Sequence, residues 1–80
     1  MIEEIKMIQE QREKEYGSPD ESFDRIAYLW SGYLAVSVSG KDVAYMMAML
    51  KMSREKHESK FDNRLDAASY CVLADKVNNE

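Results

Sequence analysis

Two short stretches, Ser18-Pro19-Asp20-Glu21 and Ser39-Gly40-Lys41-Asp42, do most to limit what this chain can become. Each reads as the start of a helix. A serine side chain accepts a hydrogen bond from an early helical N–H, and an acid three residues on returns one. Proline suits the first helical position, where its missing N–H has no intrahelical partner anyway. Gly17 suits the end of a preceding helix. With one proline and three glycines in all, little else interrupts the chain. The pattern predicts four helices, over residues 2–16, 19–33, 40–57 and 63–77, the last capped by Asp62. Residues 34–40, LAVSVSG, alternate in character and read as either an extended piece or a loop. A lone strand would have nothing to pair with.

Apolar spacing assigns each helix a face. The second places Phe23, Ile26, Leu29, Trp30 and Tyr33 inward. The third places Val43, Met46, Met47 and Leu50 inward, and the fourth Leu65, Ala68, Ser69, Val72 and Leu73. The first has Ile2, Ile5 and Ile8, then the wholly polar run QEQREKE. The fold expected is all-α: one domain, with residues 1–16 as an N-terminal helical arm and residues 18–77 as a three-helix core. The closing KVNNE is expected to fray.

Eighty residues bury only about 60% of the surface that the unfolded chain exposes. The single cysteine, Cys71, excludes an internal disulfide, and no Cys/His cluster offers a zinc site. A homo-oligomer is therefore expected. The first helix, or the methionine-rich YMMAMLKM, would supply the contact, since methionine adapts well at interfaces.

A net charge of −4 argues against binding DNA, RNA or an anionic membrane in bulk. No run approaches the roughly 18 apolar residues of a membrane span. The N-terminus lacks the apolar stretch of a signal peptide, so a cytosolic protein is expected. Cys71 lies in a helical apolar pattern and reads as a small buried hydrophobe. His57, the one histidine, reads as a surface residue at a helix C-terminus, where a cation is favoured. No nucleophile motif is present, and no catalytic residue, metal or cofactor is expected.

The chemistry concentrates in LKMSREKHESKFDNRLDAASY, Leu50 to Tyr70. The inner face of the third helix, extended past Leu50, reaches Lys51 and Arg54. That of the fourth, extended backward, reaches Asp62 with Asp66 on its flank. Helices joined by a short loop pack antiparallel, so these cations and acids should meet. Two readings are open. One is a salt-bridge latch. The other is a phosphate site, in which the acids orient Lys51 and Arg54, and Arg64 and the free N–H groups of the fourth helix add to the attraction. Trp30, Tyr33 or Tyr70 would stack a base, and Arg25 would supply further charge.

The runs RIAYLWSGYL, GKDVAYMMAMLKMSREKH and DNRLDAASY resemble a family of small phage and prophage helical proteins of unassigned function. The likeness covers residues 16–74. It implies a phage-encoded accessory protein. A more distant likeness is to the MazG-like all-α nucleotide pyrophosphatases, which hold magnesium between an E-x-x-E helix and an E/D-x-x-D helix. Asp66 matches the final acid of that second motif. Asn63 stands where its first acid would be, and Asp62 is one residue off. Lys51 and Arg54 occupy the place of metal ligands. Glu55 and Glu58 keep the E-x-x-E spacing only at the helix end. Such a site would bind phosphate directly and lose metal-activated water.

The function expected is therefore binding and sequestration of a small nucleotide-like signal, without turnover, to counter host immunity. The alternatives are a protein-interaction module and a divergent magnesium-dependent pyrophosphatase.

Overall fold

A computed structural model describes residues 1–77. Four helices follow in order: α1 (Ile2–Tyr16), α2 (Pro19–Leu34), α3 (Gly40–His57) and α4 (Phe61–Leu73). No strand occurs among the described residues. At α3, Ser39 and Asp42 exchange both bonds of a capping box, at 3.1 and 3.0 Å. Ser18 accepts from the Glu21 N–H at 3.3 Å. Gly17 carries φ +88°, a conformation that glycine reaches without steric cost, and this turns the chain from α1 into α2. Gly40 is small for a different reason. A Cβ there would lie 2.9 Å from the Asp24 carboxylate, so α3 starts hard against α2.

The centre of the fold is the α3–α4 pair, the most extensively packed of all. Val43 and Ala44 are fully buried, and Ala48 nearly so. From α4, Leu65, Ser69 and Leu73 are buried one above another, at the i, i+4, i+8 spacing of one helix face. Alanine and serine side chains let two helix axes approach closely. Phe23 and Ala27 close the core from α2, with Ile26, Trp30, Met47 and Tyr70 packed around them. The Phe23 and Tyr70 rings lie 6.2 Å apart, within the range of favourable aromatic pairs.

The arm, α1, lies across α4 and α2. Ile5 is its buried residue. Gln9 ties it down, donating to the Ser69 carbonyl at 3.4 Å and accepting from the Lys76 ammonium at 3.1 Å. Between Leu34, which ends α2, and Gly40, which starts α3, residues 35–39 form a loop. The Ser31 hydroxyl holds it, accepting from the Val38 N–H at 2.9 Å and donating to the Val38 carbonyl at 3.2 Å.

Several expectations need correction. In α2, Leu29 and Tyr33 point outward; the buried face runs through Phe23 and Ala27 instead. In α3, Leu50 is exposed and Ala44 and Ala48 take its place; in α4, Val72 is exposed. Cys71 is exposed too. In α2 and α3 the reason is that close helix contact favours the small Ala27, Ala44 and Ala48, which hydrophobic periodicity undervalues. Helix α4 starts at Phe61, so Asp62 lies within its first turn and Lys60 takes the cap position with no side-chain bond. The helix ends at Leu73, and hydrogen-bonded turns carry the chain on to Val77, which is buried in the core. Of the tail expected to fray, residues 78–80 lie outside the described residues. No helix among the described residues is long and apolar enough to cross a membrane.

Leu73→Ala is expected to cost about 2–5 kcal/mol, whereas Leu29→Ala should stay within about 0.5 kcal/mol. Urea denaturation of both variants measures the difference; equal losses would place α2 in the other rotational phase.

Candidate functional site

Antiparallel packing brings Lys51 of α3 to Asp66 of α4. Their ion pair spans 3.1 Å, and each side chain is 16% exposed. Removal from water on this scale strengthens the attraction and also makes an unpaired charge costly. The pair forms one wall of a groove of about 390 Å3 between α1, α2 and α4. Phe23, Ile26 and Leu73 make its apolar side; Gln9, Arg12, Glu13, Tyr16 and Tyr70 bring polar groups to it. Burial pushes the Tyr70 hydroxyl above the ordinary phenol range, and the negative charge of Asp66 adds to that. The charges of Arg12 and Arg54 reach the same hydroxyl and act in the opposite direction.

Of the residues singled out from the sequence, Lys51, Asp66 and Tyr70 therefore line one groove. Arg54 is exposed and sits in a shallow depression at the α3–α4 turn with His57 and Asn63, close enough to influence Tyr70. Asp62 is exposed, and no ion pair joins it to Arg54 among the described residues. Trp30 packs against the core. Tyr33 is almost fully exposed and Arg25 is exposed; neither lines the groove.

Arg64 belongs to a separate structure. Glu55 ends α3 as a three-way acceptor: from the Lys60 N–H at 2.8 Å, the Ser59 hydroxyl at 2.7 Å and the Arg64 guanidinium at 2.6 Å. Arg64 also donates to the Ser59 hydroxyl at 2.9 Å. Glu55 thereby serves the start of α4 in the way Asp62 was expected to. These bonds, that from the Lys60 N–H foremost, lower the Glu55 carboxyl from 4.5 to about 2. The charged latch and the groove are thus neighbours with different members.

Sequence reading missed Gln9 and Arg12, which lie in the polar run QEQREKE, and Tyr16 just after it. The signal was present. Ile5, Gln9, Arg12 and Tyr16 recur every three or four residues, so they continue the face that Ile5 buries.

The fold and groove define a small four-helix domain with an aromatic cleft lined by charges of both signs. The chain belongs to the family described as a domain of unknown function, DUF6378, whose pattern covers residues 1–78. It is similar to the gene 55 protein of Mycobacterium phage D29, at 37% identity over 76 residues, or 94% of this chain and 50% of that protein. It is also similar to the gene 55 protein of Mycobacterium phage L5, at 36% identity over 73 residues, or 89% and 47%. The chain thus spans about half the length of the curated relatives it matches. No solved structure matches it.

The Glu55 charge is favoured by folding, so its contribution is present above pH 4.5 and is lost as pH falls toward 2. Thermal melts across that window should show Glu55→Gln losing less stability on acidification than the parent protein. Parallel slopes would remove Glu55 from the acid response.

Proposed function

We propose that the groove between α1, α2 and α4 binds a small ligand carrying an anionic group and a flat ring, a nucleotide-like molecule, and holds it without turnover. The observation that carries the reading is the gathering of Arg12, Lys51, Tyr16, Tyr70 and Phe23 around one cleft of about 390 Å3. That volume falls in the range of roughly 300–1,000 Å3 typical of small-molecule sites, which are mostly apolar with a few polar groups. Arginine offers a planar fork to a phosphate, and lysine a point charge. The aromatic rings give a flat base something to stack on.

Retention rather than hydrolysis is supported by the partner of Asp66, a lysine. The phage relatives give the reading its setting. There, a protein that keeps a nucleotide signal out of circulation would blunt a host response.

Calorimetry against cyclic dinucleotides, cyclic AMP and ADP-ribose tests this. At least one should bind at micromolar concentration and be recovered unaltered. Arg12→Ala should weaken it about tenfold or more, the value of one charge-assisted hydrogen bond. Absence of binding by the folded protein across the panel would sink the proposal; conversion of the nucleotide would replace it with an enzymatic one.

A further inference from the structure

The outer face of the C-terminal half of α2 is used by neither the core nor the groove. Tyr28 and Tyr33 are 81% and 90% exposed, and Leu29 is exposed beside them. At 100° per residue, Gly32 faces away from Phe23 and Ala27, with Tyr28 on one side of it and Leu29 and then Tyr33 on the other. Gly32 stands in the middle. Its backbone is helical and needs no glycine, and a Cβ added there would meet nothing within 4 Å. Glycine is among the least favourable residues inside a helix. Among the described residues, nothing accounts for it.

A recess flanked by protruding rings suits the close approach of another helix, because axis separation follows the size of the side chains at the contact. We infer that this face of α2 joins two copies of the chain, crossing antiparallel about a twofold axis beside Gly32. A twofold interface requires a patch complementary to itself. Here, recess and protrusions lie on the same helix. The register that seats Leu29 over the partner's Gly32 also sets Tyr28 against the partner's Tyr33. With roughly 200 Å2 for an exposed tyrosine ring, the two tyrosines and Leu29 offer about 500 Å2 per copy. A standard interface takes about 800 Å2 per partner, so the patch supplies more than half of what a stable dimer needs. The other exposed stripe, Tyr45, Met49 and Met52 of α3, has no glycine within it.

Sedimentation equilibrium of the full chain from low micromolar to near-millimolar concentration reads the result. The parent protein should dimerise. Tyr33→Glu and Gly32→Leu should each weaken the dimer by about tenfold or more, as truncation at a contact centre does, while Met49→Glu leaves it unchanged. Circular dichroism confirms helix content. If Gly32→Leu disturbs folding, the almost fully exposed Tyr33 carries the comparison alone. A chain that stays monomeric at every concentration overturns the inference and leaves the face to a different partner. So does a dimer that resists Tyr33→Glu and Gly32→Leu but dissociates with Met49→Glu.

Discussion

The close contact between α3 and α4 is the constraint from which the other features follow. It rests on small side chains, Ala44 and Ala48 on one helix and Ser69 on the other, with Val43, Leu65 and Leu73 filling the space around them. Only at short axial separation does Lys51 come within 3.1 Å of Asp66. The same closeness brings Glu55 over the start of α4. A bulkier residue at Ala44 or Ala48 would push the pair apart and disturb core, latch and groove together.

Helix α1 shows how a weakly amphipathic segment acquires a role through its surroundings. A charged helix of this length is marginal in water. Ile5 and Gln9 dock it on α4, and Arg12 and Tyr16 then overhang the cleft. Docking turns a half-buried surface of α2 and α4 into a concave site. The groove therefore depends on tertiary contact twice: once where Lys51 of α3 meets Asp66 of α4, and once where α1 docks.

The charges divide into two groups. Arg64 is bound to Glu55 and Ser59, and Lys51 is paired with Asp66. They serve mainly to hold the two helices in register. Among the described residues, no ion pair engages Arg12 or Arg54, and both influence Tyr70. The cleft gathers charges of both signs, Arg12 and Lys51 with Glu13 and Asp66.

Local chemistry determined the helices. The serine caps, Pro19 and Gly17 act within a turn or two of the backbone, and they are legible from neighbouring residues alone. Adjacency across one short loop likewise made the meeting of Lys51 with Asp66 readable. The rotational phase of α2, the exposure of Leu50, Val72 and Cys71, the bonding of Arg64 to Glu55, and the recruitment of Arg12 and Tyr16 were decided by the tertiary structure. Each of these depends on which small residues let two helices touch, and that is a property of the pair of surfaces, not of either sequence segment.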